Sequence, residues 1–133
     1  MSLRFSLVVM QLAILSHPAM ADTAQEDFAK WWRQFRTAVA ARDSRAVALG
    51  VQFPLNWENG PIREIPSEAE LAQHFDRYFN KEIAQKVAGN TPERLPNGIY
   101  SITWKARGNE YSIYFKPLGS GGFALDGLSE GPP

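Results

Sequence analysis

Apolar residues fall into two rhythms along this chain. Phe28, Trp31, Trp32, Phe35 and Val39 recur every three or four positions, with Lys30, Arg33, Gln34 and Arg36 between them. That spacing predicts an amphipathic helix with one buried face. Thr23 and Glu26 have the spacing of a capping box, so the helix is expected from about Thr23 to Ala41. Arg42-Asp43-Ser44 interrupts it, and Ser44 is placed as the cap of a short second helix through Ala46, Val47 and Leu49 to Gly50.

From Val51 to Trp57 the rhythm changes to period two, with Val51, Phe53, Leu55 and Trp57 on one face. Such alternation predicts a half-buried strand, which Pro54 confines to a sheet edge or a bulge. Asn59-Gly60-Pro61 is a turn signal, and Ile62 to Ile65 is expected to return as a short partner strand. Ser67 and Glu70 form a second capping box. Leu71, Phe75, Tyr78 and Phe79 give the stripe of the helix it opens, and Ile83 and Val87 carry the period on to a stop at Gly89-Asn90. Three strand-like runs close the chain: Ile99 to Ala106, Glu110 to Lys116, and Gly122 to Leu128. Their short links require antiparallel neighbours, because a parallel pair needs a long crossover. The polar, proline-ended tail from Ser129 to Pro133 is expected to fray. The order predicts an α+β fold: N-terminal helices packed on a curved antiparallel sheet.

The first residues follow a different logic. Arg4, an apolar run from Phe5 to Leu15, Ser16-His17-Pro18 and then Ala19-Met20-Ala21 make a cleavable secretory signal over residues 1–21. The run is shorter than the roughly 20 residues a membrane-spanning helix needs. Cleavage after Ala21 leaves a single domain over residues 22–133, with no membrane span. It also discards His17, so His74 becomes the only histidine, which removes any two-histidine metal site from one mature chain. The chain of 133 residues carries 14 Lys+Arg against 14 Asp+Glu and no cysteine. Charge balance argues against a nucleic-acid binder. The missing cysteines exclude disulfides, thiol nucleophiles and Cys-ligated zinc. Export without cysteine points to a bacterial envelope, periplasmic or secreted, where the apolar core alone must hold the fold.

Several positions together resemble a known family. Phe28-x-x-Trp31-Trp32-x-x-Phe35-x-x-Ala38-Val39, then Asp43, then Phe53-Pro54-Leu55, then Ser67-x-x-Glu70-Leu71 leading to Phe79-Asn80 look like small exported bacterial members of the NTF2-like, cystatin-like cone superfamily, generally of unassigned function. The shared motifs are structural, so the resemblance implies a fold and not an activity. It also implies a pocket between helices and sheet, which some members use for small ligands and a few for isomerase or dehydratase chemistry.

Such chemistry needs a carboxylate or histidine in an apolar cavity, with a second donor for the developing negative charge. His74, three after Leu71 and four before Tyr78, is one candidate; a boundary histidine bonded to a carbonyl or water is the plainer assignment. Asp126 is another, set opposite Phe123 and Leu125 on its strand, where a solvated or turn-forming aspartate is expected. Tyr78 supplies a phenol. Tyr100, Ile102 and Trp104 share one strand face and align with Tyr111, Ile113 and Phe115, first of all as core packing. Trp104, Tyr78 and Tyr114 remain as weak ligand-binding candidates, Tyr114 because it lies on the more polar face. No paired carboxylates, phosphate loop or nucleophile elbow occurs, and no motif calls for a cofactor or metal. The sequence therefore predicts an exported, non-catalytic module that binds a small apolar ligand or an envelope protein, with a homodimer as one assembly. The alternative is a small isomerase or dehydratase using His74 or Asp126 with a tyrosine.

Overall fold

The computed structural model describes residues 20–119 and 121–133, and the signal segment up to Ala19 lies outside the described residues. Helix α1 (Met20–Ala40) is followed by α2 (Ser44–Leu49), then strands β1 (Val51–Glu58) and β2 (Glu64–Ile65). Three short helices come next, α3 (Glu68–Gln73), α4 (Phe75–Tyr78) and α5 (Lys81–Gly89). Strands β3 (Glu93–Arg94), β4 (Tyr100–Ala106), β5 (Asn109–Pro117) and β6 (Phe123–Gly131) complete the chain. No helix among the described residues is long and apolar enough to cross a membrane.

The helix ends show which polar side chains won. α1 begins ahead of Thr23, which therefore sits inside the helix and does not cap it. Asp43, not Ser44, caps α2, its Oδ1 accepting from the Ala46 amide at 3.1 Å. Both residue types are good caps, so periodicity does not separate them. Ser67 caps α3 as expected, accepting from the Glu70 amide at 3.2 Å. The helical stripe from Leu71 to Val87 is not continuous. It breaks at His74 (φ −122°, ψ 33°) and again at Asn80, whose side chain accepts from the Ile83 amide at 3.0 Å and starts α5 afresh.

The sheet has six strands in the order β2-β1-β6-β5-β4-β3. It is mixed, not purely antiparallel, because β1 and β6 pair in parallel. These strands are far apart in sequence, and everything from β2 to β5 serves as their crossover; the short-link rule governs only the β4–β5–β6 meander. β1 is thus an interior strand. Its register shifts between Val51 and Asn56, which accommodates Pro54 as a bulge-type irregularity. The tail is not frayed at Ser129. Ser129 pairs with Glu58 on one side and Ser112 on the other, and β6 ends only at Gly131.

The core lies between α1 and the sheet. Phe28 stacks on Tyr100 with ring centroids 3.7 Å apart, and Trp32 meets Phe115 edge-on at 5.2 Å. Val39, Val47, Leu55, Ile65, Leu71, Phe79 and Leu125 are buried around them. Trp32 and Trp57 are buried, whereas Trp31 and Trp104 are only partly buried at the margin of this cluster.

Candidate functional site

A cavity of about 490 Å³ opens at the mouth of the sheet. Its floor is apolar: Trp57, Ile83 and Leu128 are all buried and line it. One wall is Trp104 stacked on its cross-strand partner Tyr111, with centroids 5.5 Å apart and planes 13° from parallel. The opposite lip is the turn after β1, Asn59-Gly60-Pro61, and Arg77, Asn80 and Glu82 come from the α4–α5 junction.

Local sequence explains each position. Arg107 and Gly108 both take positive φ (53° and 79°) at the β4–β5 link, the geometry of a two-residue hairpin that matches strand twist. The turn carries the Arg107 guanidinium to 5.1 Å from the Tyr111 ring centre, where it donates to Glu82 Oε1 at 2.7 Å. Gly60 is required by the lip: a Cβ there would lie 2.0 Å from Trp57 Cδ1. Lys86 Nζ stands 5.7 Å from the Trp104 ring centre, within cation–π range.

The electrostatics follow from these contacts. The hydrogen bond from Arg107 holds the Glu82 carboxyl below its ordinary range, against a smaller opposing effect of burial. The Arg107 charge acts with it, as do Lys86 and the nearby indole N–H of Trp104, although Trp104 Nε1 closes no hydrogen bond of its own. Arg107 in turn is pushed higher, first by Glu82 and then by Tyr111. At neutral pH the wall carries an ion pair whose arginine side is largely exposed to solvent.

Of the residues singled out from sequence, Trp104 lines this cavity. His74 and Tyr78 come together elsewhere, through Glu70. The Tyr78 hydroxyl donates to Glu70 Oε2 at 3.0 Å, and His74 Nε2 lies 3.4 Å from the same oxygen. Tyr78 is 2% exposed and packs edge-on against Trp57 at 6.1 Å, so it stands behind the floor. Burial first, then the hydrogen bond to Glu70 and its charge, raise the Tyr78 phenol above its ordinary 10.0, Arg77 opposing. Asp126 is the extra residue where β6 shifts register against Tyr114 and Phe115, and its Oδ1 lies 3.3 Å from Lys116 Nζ. Tyr114 lies beside Gly127, to which it is paired across the strands. None of His74, Asp126 and Tyr114 lines the mouth. Tyr111, Trp57, Glu82 and Arg107 do, and were not singled out. Trp57 and Tyr111 carry the alternation of core residues, and the pairing of Glu82 with Arg107 leaves no local trace. Among the described residues, no three His, Asp or Glu side chains cluster as a metal site.

Helices leading into an open, curved sheet with a cavity at its mouth define an α+β cone-type domain, in line with the NTF2-like arrangement read from sequence. Solved structures similar to this chain include ActVI-ORFA from Streptomyces coelicolor, at 8% identity and TM-score 0.50, covering 82% of this chain and 96% of that one. Another is an NTF2-like protein with a cystatin-like fold from Novosphingobium aromaticivorans, at 8% identity and TM-score 0.48, covering 84% and 82%. At 8% identity the likeness to ActVI-ORFA is one of fold. No family profile and no curated protein matches the chain.

Proposed function

We propose that this domain is exported to the bacterial envelope and binds a small, largely apolar, planar ligand in the mouth cavity without turning it over. The observation that carries the reading is the pairing of Glu82 with Arg107 beneath the stacked Trp104–Tyr111 wall. Acid–base turnover needs a carboxylate left unpaired in apolar surroundings, so that its pKa climbs toward neutrality. Of the two carboxylates in the lining, Glu82 is held down by its partner, and Glu130 sits half-buried near the end of β6 and not in an apolar enclosure. Two stacked rings and an apolar floor instead suit a flat ligand held by stacking and burial, in a volume within the usual range for small-molecule sites.

The test is an NMR titration with 1-naphthol, following the tryptophan indole signals. The expected result is saturable perturbation of the Trp104 signal, with affinity reduced about tenfold or more in Trp104→Ala. Equal binding by Trp104→Ala, or perturbation confined to Trp31 and Trp32, would refute the assignment.

A further inference from the structure

The turn that forms the lip of the mouth carries Asn59 followed by Gly60, and the β3–β4 hairpin carries the same pair as Asn97-Gly98. Asparagine is a labile residue, most of all before glycine, which has no Cβ to keep its amide nitrogen away from the asparagine carboxamide. The fold restrains the two pairs differently. Asn97 Oδ1 accepts from the Ile99 amide at 3.0 Å. Its hairpin is closed by the Leu95 amide donating to the Ile99 carbonyl at 2.7 Å and the Gly98 amide to the Leu95 carbonyl at 2.9 Å. Among the described residues no such bond holds the carboxamide of Asn59, which is exposed and sits at a φ of 60°. The Gly60 amide makes a longer contact, 3.2 Å to the Trp57 carbonyl.

We propose that Asn59 is a site of spontaneous deamidation, and that its conversion reshapes the mouth. Hydroxide removes the Gly60 amide proton, and the nitrogen attacks Asn59 Cγ. A C–N bond forms, the Cγ–Nδ2 bond breaks, and the departing nitrogen takes a proton from water and leaves as ammonia. The product is a succinimide, which water then opens. Attack at Cγ gives aspartate; attack at the main-chain carbonyl gives isoaspartate, in which the chain runs through the side chain.

Either product replaces a neutral amide by a carboxylate, the third in a lining that already holds Glu82 and Glu130. Isoaspartate also lengthens the main chain by a methylene just before Gly60. That residue has no slack, since a Cβ on it would lie 2.3 Å from Trp57 Nε1. The displacement is therefore passed to the indole that floors the cavity. Its consequence for ligand binding rests on the mouth-cavity reading, whereas the conversion itself does not.

The test is incubation of the purified protein at mildly alkaline pH, with a mildly acidic control and the free peptide spanning Trp57 to Arg63 alongside. Tryptic peptides ending at Arg63 and at Lys105 report Asn59 and Asn97 separately by mass spectrometry. The expected result is conversion of Asn59 several-fold faster than Asn97, and suppressed in acid. As Asn59 converts, a second Trp57 indole NMR signal should grow in proportion, and equally in Asn97→Gln. Retention of the Asn59 amide while the free peptide converts overturns the proposal, as does conversion of Asn97 first. An unshifted Trp57 signal in fully converted protein overturns the link to the mouth. Both readouts are made without ligand, so their failure is distinct from failure of the 1-naphthol titration.

Discussion

Glu82 and Arg107 are 25 residues apart in sequence and 2.7 Å apart in space, joining the first turn of α5 to the β4–β5 hairpin across the cavity wall. The carboxyl of Glu82 is held below its ordinary range by that contact. A depressed folded-state value stabilises the fold above the unfolded pKa, near 4.3, and that contribution is lost as pH falls through the folded value. Urea melts should therefore show Glu82→Gln less stable than the unaltered protein at pH 7 and at pH 5.5, by the same margin. The margin should shrink progressively below about pH 4.3. A margin constant down to pH 3 would mean that the pair does not couple to folding.

Trp31 and Trp32 are neighbours with opposite fates. Trp32 is fully buried and meets Phe28, Phe35 and Phe115. Trp31 stacks on Phe35 at 5.0 Å but keeps part of its ring in water. Trp32→Ala should cost about 3–5 kcal/mol as a core truncation, and Trp31→Ala about half of that. Equal losses in denaturant melts would mean that both rings share one environment.

The same pair shows how far the sequence could be read. A three-to-four spacing marks both tryptophans as inward-facing, but an α-helix turns each residue by a fixed angle, and only contact with the sheet decides which of two adjacent rings lies deeper. Asn80 shows a second limit. The stripe runs past it without interruption, and a good capping side chain ends and restarts the helix at no hydrophobic cost. Leu125 and Leu128 announce a strand, yet nothing local says that it will lie parallel to β1. The mouth cavity was the least legible part, because its ion pair and its aromatic wall are formed across elements and carry no spacing.

Gly60 is held against the Trp57 indole so closely that a methyl group would stand 2.0 Å from Cδ1 and 2.3 Å from Cγ. Trp57 cannot swing away cheaply, since it is buried and packed on Tyr78. Gly60→Ala should cost about 1–3 kcal/mol through forced repacking and alter the near-ultraviolet circular dichroism of the tryptophans. An unchanged melting temperature and spectrum would mean that the turn relaxes freely.

Export makes a prediction independent of the fold. Ala19-Met20-Ala21 places small residues at the positions a signal peptidase reads. Expressed from its own start codon in a bacterium, the chain should accumulate in the periplasmic fraction with Asp22 at its N-terminus by intact mass. Recovery from the cytoplasm with residues 1–21 still attached would contradict the signal assignment.

Tyr78 closes the floor from behind, its hydroxyl bonded to Glu70 and its ring against Trp57. Its phenol is raised above 10.0 chiefly by burial, and a raised folded-state value has the opposite sign from that of Glu82. The neutral phenol is favoured in the fold, so this contribution is complete below pH 10 and is lost as pH rises through the folded value. Absorbance at alkaline pH should show a late tyrosine step, in step with unfolding. Tyr78→Phe should remove that late step and cost about 1 kcal/mol at pH 7, the net worth of one hydrogen bond whose acceptor keeps access to water. Persistence of that late step in Tyr78→Phe would show that it does not come from a ring sealed beneath Trp57.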